Sequence, residues 1–241
     1  MNVIEFNNVS FSYGRETVLH DVNFSIMKGE KIAIVGETGA GKSTIAKLIL
    51  RFYLSDKGDV KFYGESAKEV SQRWARKNIA YVPQESFLFR GTIRDNLIYS
   101  NPEKMQLESE LKDIGVLDWF NRYENGLDQE VGERGSNVSA GERQFIALLR
   151  AVLAKREIIV FDEATANLDI ESENSILDAT DRLLDYQTSV VIAHRLETIL
   201  NAEKIIVMKD GELVGFDNHA NLLQENEIYQ DLFSAWNLSS Q

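Results

Sequence analysis

Residues 36–44 read GETGAGKST, and this run fits the spacing G-x-x-x-x-G-K-[S/T]. Glycines at this spacing allow successive backbone N–H groups to turn inward around phosphate oxygens. The run before it, KIAIVG at 31–36, is apolar, and TIAKLILRFYL at 44–54 has helical periodicity. We therefore expect a buried parallel strand, a phosphate-binding loop and a helix whose positive end points at the phosphates.

The loop carries the two side chains that such a site requires. Lys42 would reach the β- and γ-phosphates of a nucleotide, and the Ser43 hydroxyl would bind Mg²⁺. A glycine-rich turn with an incidental lysine is the alternative interpretation, and the strand and helix on either side disfavour it. The sequence thus predicts a nucleoside triphosphate and Mg²⁺ at this loop.

An acidic pair ends a second apolar run, IIVFDE at 158–163. Because the carboxyl ends of parallel strands meet at one edge of a sheet, Asp162 would stand beside the Mg²⁺. Adjacent strand residues point to opposite faces, so Glu163 is expected to reach the attacking water as a general base. An ordinary surface Asp-Glu pair is the alternative, which would be preferred in a chain without the phosphate loop.

The order of the segments predicts an α/β fold with a mostly parallel sheet. Apolar runs at 158–163, 189–194 and 204–213 alternate with helix-like segments, which is the pattern of strand–helix–strand units. Residues 86–154, by contrast, are mostly helical in pattern, and we interpret them as an insertion into the sheet domain. Residues 220–236 predict one or two amphipathic helices.

The composition excludes several classes of protein. The 241 residues include 38 acidic and 26 basic ones, giving a net charge of -12. Nucleic acid is therefore not expected as a partner, because non-specific binding to phosphates depends on an excess of Lys and Arg. Cysteine is absent, so a disulfide framework is excluded. The most apolar run, 145–154, is broken by Arg150 and is too short to span a membrane, so we expect a soluble domain.

Taken together, the motifs resemble the nucleotide-binding domain of ABC ATPases over essentially the whole chain. In chain order they are Tyr13, residues 36–44, Gln84, VSAGE at 138–142, Asp162, Glu163, NLD at 167–169 and His194. The resemblance implies one domain over 1–241, with the P-loop NTPase fold and an antiparallel β portion near the N-terminus. It divides the domain into an ATP-binding α/β core, 1–85 and 155–241, and a helical subdomain at about 86–154.

The resemblance also implies a role for each motif residue. Tyr13 would stack on adenine, although a tyrosine that only packs locally is the alternative. Gln84 would approach Mg²⁺ and the water while sensing a transport subunit, and His194 would contact the γ-phosphate. Asp169 would contact a second domain, cap the next helix, or do both. The implied nucleotide contacts are Tyr13, Gly36, Glu37, Thr38, Gly39, Ala40, Gly41, Lys42, Ser43, Thr44, Gln84, Ser139, Gly141, Glu142 and Asp169; the catalytic residues are Lys42, Gln84, Glu163 and His194; the metal contacts are Ser43, Gln84 and Asp162.

The run NVSAGERQFI at 137–146 resembles the ABC signature motif, whose usual form is Leu-Ser-Gly-Gly-Gln. Ser139, the N–H of Gly141 and the positive helix end would meet the γ-phosphate of an ATP held by another chain. A plain serine-capped helix uses the same N–H groups and is therefore a partial description of the same residues. Glu142 is the main departure from the motif, because its negative charge opposes a triphosphate unless Arg143 or a partner residue offsets it.

Three further stretches resemble exporter-type domains: 87–97 (FLFRGTIRDNL), 129–139 (QEVGERGSNVS) and 215–233 (GFDNHANLLQENEIYQDLF). The resemblance implies two domains that sandwich two MgATP and power export through a membrane domain at the cytoplasmic face of the cell membrane. We expect that the membrane domain was excised from the same polypeptide, with a separate subunit as the alternative. The motifs also leave open a non-transport ABC ATPase, a nucleotide-gated dimerisation module with weak hydrolysis and, more distantly, a small-molecule kinase.

Overall fold

The computed structural model describes residues 1–99, 106–162, 187–193 and 195–239. The strands in this part of the chain are β1 (Asn2–Tyr13), β2 (Glu16–Met27), β3 (Lys31–Gly36), β4 (Lys57–Phe62), β5 (Glu65–Ser66), β6 (Ile79–Val82), β7 (Gly91–Thr92), β8 (Glu130–Val131), β9 (Ile158–Asp162), β10 (Thr188–Ile192), β11 (Lys204–Lys209) and β12 (Glu212–Asp217). The α-helices are α1 (Lys42–Ile49), α2 (Gln72–Asn78), α3 (Ile93–Ile98), α4 (Leu107–Asp113), α5 (Ala140–Leu153), α6 (Leu196–Leu200), α7 (His219–Glu225) and α8 (Glu227–Ser239).

A mostly parallel sheet forms the centre of the molecule, as expected. Its strands lie in the order β12–β11–β3–β10–β9–β6, and all neighbouring pairs are parallel except β11 with β12. Strand β10 is buried along its whole length, because a sheet covered on both faces needs continuous apolar strands. The carboxyl ends of β3, β6, β9 and β10 therefore lie at one edge, where ligands of such folds bind.

The N-terminal strands form a separate antiparallel sheet in the order β2–β1–β4–β5. One face of β1 and β2 is buried, and Phe6 stacks on Phe24 with ring centroids 4.3 Å apart. Such cross-strand aromatic pairs stabilise antiparallel sheets. The antiparallel β portion implied by the resemblance is thus present.

The run at 204–213 is two strands and not the single apolar strand expected from its sequence. Strands β11 and β12 pair antiparallel through a turn at Asp210 and Gly211, whose φ angles are 49° and 81°. Positive φ at both central residues is the geometry of a type I′ hairpin, which Asp-Gly favours. The carbonyl of Gly211 accepts a hydrogen bond from the His20 N–H at 2.9 Å, which joins this hairpin to the N-terminal sheet.

The middle of the chain packs around α5. Phe145 and Ile146 of this helix are almost fully buried together with Trp119 and Phe120, which lie in a 3₁₀ segment at Leu117–Arg122. This part also contains the short antiparallel ladder of β7 and β8, which the helical sequence pattern does not indicate. The C-terminal segment forms two helices, α7 and α8, and in the described part of the chain no helix is long and apolar enough to cross a bilayer.

Candidate active site

The phosphate loop lies where the sequence predicts it, between β3 and α1. The Lys42 ammonium folds back over the loop, and its Nζ donates hydrogen bonds to the carbonyls of Gly36 at 2.7 Å and Glu37 at 2.8 Å. Gly41 is the residue before the helix, and no side chain caps the first turn of α1, which also lacks acidic residues. The helix therefore presents its N-terminal N–H groups and its positive end to the loop.

Close packing makes glycine necessary at two loop positions. A Cβ on Gly36 would lie 2.2 Å from the Met208 carbonyl oxygen, and one on Gly41 would lie 2.7 Å from Leu19 Cδ2. The φ angle of Gly41 is also 100°, a region that L side chains rarely adopt. The loop backbone is thus packed closely against β2 and β11, with no room for a side chain at these two positions.

Asp162 ends β9 opposite Ile192 of β10, at the same edge of the sheet as the loop. Burial lowers the pKa of Lys42, and the negative charge of Asp162 opposes this shift. Burial also raises the pKa of the neighbouring Tyr81 hydroxyl, with the charge of Asp162 adding to the effect. The carboxylate therefore lies within electrostatic reach of the loop lysine, as a metal-side acid should.

The side chains available to a divalent ion at this site offer a small number of oxygen ligands. Ser43, the second residue of α1, has an exposed side chain, and Gln84 lies exposed two residues beyond the end of β6. Among the described residues no group of three or more His, Cys, Asp or Glu is arranged to hold a metal. A hydroxyl and one or two carboxylate or amide oxygens fit Mg²⁺, which keeps most of its ligands from phosphates and water.

Tyr13, the residue expected to stack on a base, ends β1 with 37% of its surface exposed. Its ring meets Tyr53 edge-on at a centroid distance of 5.4 Å, and Lys47 Nζ of α1 lies 5.4 Å from its centroid. The ring of Tyr13 is thus held by Lys47 of α1, the helix after the phosphate loop, and by Tyr53, which follows that helix. Sequence reasoning did not identify Tyr53 or Tyr81, because neither belongs to a motif and only the fold brings them to the site.

The signature serine caps α5 in a reciprocal arrangement. Ser139 Oγ accepts a hydrogen bond from the Glu142 N–H at 3.2 Å, and Glu142 Oε2 accepts one from the Ser139 N–H at 2.9 Å. The first turn of a helix has N–H groups without intrahelical partners, and this capping box satisfies two of them. Among the described residues the N–H groups of Ala140 and Gly141 have no such partner; Ser139 and Ala140 are exposed, whereas Gly141 is buried.

The cation next to Glu142 is Arg122 and not Arg143. Arg122 Nη1 lies 3.9 Å from Glu142 Oε1, whereas Arg143 Nη1 donates to the carbonyls of Gly135 at 3.3 Å and Val138 at 2.5 Å. Arg143 thus holds the loop before the signature, and among the described residues the ion pair of Glu142 is with Arg122 and not with Arg143, the cation considered from the sequence.

The helix after the phosphate loop and the signature helix pack in different hydrophobic clusters: Ile45 of α1 lies in the cluster that includes β1 and β2, whereas Phe145 of α5 packs with Trp119. No hydrogen bond or ion pair of the described residues joins Ser139 or Glu142 to 36–44. Three expected site residues, Glu163, Asp169 and His194, lie outside the described residues. Asp162 and Ala193, which immediately precede two of them, lie at the site edge of the sheet.

A glycine-rich phosphate loop after a parallel strand, with an acidic strand end beside its lysine, defines a P-loop nucleotide-binding domain. The family model described as "ABC transporter" matches residues 19–166. The chain belongs to the ABC transporter family.

Known relatives cover nearly all of this chain. It is 39% identical over 236 residues to the "Uncharacterized ABC transporter ATP-binding protein YfiC" of Bacillus subtilis (strain 168), covering 96% of this chain and 39% of that protein. It is 41% identical over 234 residues to the "ATP-dependent lipid A-core flippase" of Escherichia coli (strain K12), covering 95% of this chain and 40% of that protein. The chain thus spans about two fifths of the length of these relatives.

A solved structure has the same fold. The "Structure of a bacterial Atm1-family ABC exporter with ATP bound" superposes with a TM-score of 0.86 and is 36% identical, covering 97% of this chain and 41% of that one. These similarities confirm the α/β fold of the ABC ATPases and the prediction that the chain is an ATP-binding domain of the exporter type of ABC transporter.

Proposed function

We propose that this chain binds MgATP, dimerises around two such molecules and uses their hydrolysis to power export through a membrane domain. The observation that carries the proposal is that the two helix starts expected to bind phosphate, at Lys42 and at Ser139, belong to helices that pack in different hydrophobic clusters of the chain. Each would complete a site only against a second domain, in which the phosphate loop of one chain faces the signature of the other.

Each side of the composite site has residues suited to a triphosphate. Lys42 and the α1 N-terminus neutralise the β- and γ-phosphates, and Tyr13 offers an exposed ring to the adenine. Ser139 and the N–H groups of Ala140 and Gly141 supply hydrogen bonds to the γ-phosphate from the partner chain. Bound Mg²⁺ would add charge stabilisation at the transferring phosphoryl group, held by Ser43, Gln84 and Asp162.

Three residues outside the described part complete the proposal, and two of them take part in the chemistry. Glu163 follows Asp162 directly and takes the proton of the attacking water as general base. His194 supports the γ-phosphate and keeps the water in line with Glu163. Asp169 contacts the second domain. Catalysis is then mainly positioning and electrostatic stabilisation.

A surface cavity supports docking to a membrane domain. Its volume is about 540 Å³, and it lies at the ladder of β7 and β8. The exposed rings of Phe87, Phe89 and Tyr99 come from the same part of the chain and contact one another, with Phe89 and Tyr99 stacked at 4.3 Å. The lining residues are Arg90, Gly91, Thr92, Glu130, Val131, Gly132, Glu133 and Asn137.

The proposal assigns a task to each part of the chain. Residues 1–85 and 155–241 form the ATP-binding core, and residues 86–154 form the helical subdomain that carries the signature. Gln84 and the cavity residues transmit the motion between ATP-bound and nucleotide-free states to the membrane helices. In this proposal the domain works at the cytoplasmic face of a cell membrane.

Replacement of the general base tests the proposal. We expect Glu163→Gln to lower the ATPase rate by a factor of about 10²–10⁴, because general-base catalysis contributes on this order. ATP binding should persist, and the unhydrolysed nucleotide should trap a dimer that size-exclusion chromatography detects. A variant with wild-type turnover would remove Glu163 from this role, and a monomer at saturating ATP would contradict the sandwich.

A further inference from the structure

The carboxylate of Glu142 is held from two sides. Its Oε2 accepts the hydrogen bond from the Ser139 N–H, and its Oε1 faces Arg122 Nη1 at 3.9 Å. The Tyr123 side chain lies beside it, since burial and then the charge of Glu142 raise the pKa of that phenol. The charged end of Glu142 is therefore directed towards Arg122 and Tyr123, and only about a fifth of its side chain is exposed (21%).

The position of Arg122 is itself fixed. Its Nε donates to the Trp119 carbonyl at 3.1 Å, and its guanidinium carbon lies 4.1 Å from the centroid of the Trp119 ring. Trp119 in turn packs on Phe145 of α5, with ring centroids 4.6 Å apart. The cation is thus attached to the same aromatic group that supports the signature helix.

The charge of Glu142 creates a problem that Arg122 solves. A carboxylate in the first turn of α5 stabilises the helix itself, but it lies next to N–H groups that are proposed to receive a γ-phosphate. At a separation of about 6 Å and an effective dielectric constant of about 40–80, one unit charge changes the affinity for another about three- to tenfold. The Arg143 guanidinium bonds to backbone carbonyls, and Arg122 is the cation that pairs with Glu142 in the described part of the chain.

We propose that Arg122 is a positioning residue of the signature loop, which balances the charge of Glu142 and keeps its carboxylate on the Ser139 N–H. The signature loop can then accept the γ-phosphate of an ATP that is bound to a second chain, although Glu142 stands where the usual motif has glutamine. The inference rests on the proposed function, because it concerns the signature side of the composite ATP site.

Substitutions at the two positions separate charge from packing. Arg122→Met retains an apolar stem against Trp119 and removes the charge, whereas Arg122→Lys retains the charge. Glu142→Gln removes the opposing charge and preserves the capping box, because glutamine serves at this position of the box. Arg76→Met is the matched control, since Arg76 lies exposed on α2 and bonds only to Gln72 among the described residues.

The ATP concentration for half-maximal hydrolysis is measured for each full 241-residue variant. We expect Arg122→Met to raise it about three- to tenfold, with little change at saturating ATP, and we expect Arg122→Lys to remain within about twofold of wild type. The defect should shrink at high salt, where the screening length falls to a few ångström. Adding Glu142→Gln to Arg122→Met should return the value to within about twofold of wild type, because the local charge is then balanced again.

A defect in Arg122→Met that Glu142→Gln does not rescue would overturn the inference, because it would assign Arg122 a packing role. A wild-type value in Arg122→Met would overturn it as well. If the wild-type chain does not hydrolyse ATP at all, the proposed function fails instead. The same variants are then compared by ATP-dependent dimerisation in the Glu163→Gln background, where loss and rescue of the dimer must follow the same order.

Discussion

At the scale of single residues, the phosphate loop is defined by backbone geometry as much as by its lysine. The Lys42 ammonium donates hydrogen bonds to the carbonyls of Gly36 and Glu37, so its positive charge lies at the loop where phosphates are proposed to bind. Gly41 combines a φ of 100° with a close approach to Leu19. The glycines and the lysine of the motif therefore each meet a structural requirement of the loop, which substitutions can test one residue at a time.

Gly41→Ala should destabilise the domain and weaken ATP binding, while Gly39→Ala should have a smaller effect. Both positions have positive φ, but a Cβ at Gly41 meets Leu19 Cδ2 at 2.7 Å and one at Gly39 meets nothing within 4 Å. Strain alone costs on the order of 1 kcal/mol, and overpacking adds about 1–3 kcal/mol. Urea unfolding and nucleotide titration of the two variants check this difference. Equal stability of the two variants would show that contact with β2 does not constrain the loop.

The residue scale also shows what the sequence could predict. Motif spacing predicted that Asp162 would lie close to Lys42, and the structure shows this, because strand ends in a parallel sheet converge whatever their separation along the chain. It did not identify Tyr53 or Arg122, whose roles depend on packing between segments that the sequence does not relate. The roles of Glu163 and His194 stay predictions from the resemblance.

At the scale of elements, the parallel strands were predictable because a continuous apolar run of strand length, bounded by turn residues, is typical of a strand buried on both faces. The hairpin of β11 and β12 was missed although Asp210 and Gly211 form a strong turn signal. Because apolar residues lie on both sides of this turn, residues 204–213 were interpreted as one apolar run and not as two strands. In helix α5 the same residues contribute to stability and to the proposed function. Ser139 and Glu142 form the capping box of the helix and also border the proposed anion site.

Ser139→Ala and Ser71→Ala should separate these two roles. Both serines cap helices, Ser139 through the Glu142 N–H at 3.2 Å and Ser71 through the Trp74 N–H at 3.1 Å. Each loss should lower the free energy of unfolding by about 0.5–2 kcal/mol. Only Ser139→Ala should also reduce the ATPase rate at saturating ATP and raise the ATP concentration for half-maximal rate. A parallel loss of activity in Ser71→Ala would attribute the effect to stability alone.

At the scale of the whole molecule, the proposed function requires two half-sites of an ATP site, one at the phosphate loop and one at the signature. The phosphate loop lies at the edge of the parallel sheet, and the signature begins α5 in the helical part. A two-fold dimer is the simplest arrangement that completes both, because an isologous interface pairs each half-site with its complement. The cavity at β7 and β8 and the exposed aromatic rings of the same part of the chain are the surface that we propose for docking to a membrane domain.

The most direct test of this account is a mixing experiment with two inactive variants. Lys42→Ala removes the phosphate-loop charge, and Ser139→Arg blocks the signature side, so each variant alone should lack both working sites. In an equal mixture, half of the dimers combine one chain of each kind, and each such dimer contains one intact site. We predict recovery of about a quarter of the wild-type ATPase rate, with independent sites and random pairing. A mixture no more active than its separate components would contradict the composite site and the central claim with it.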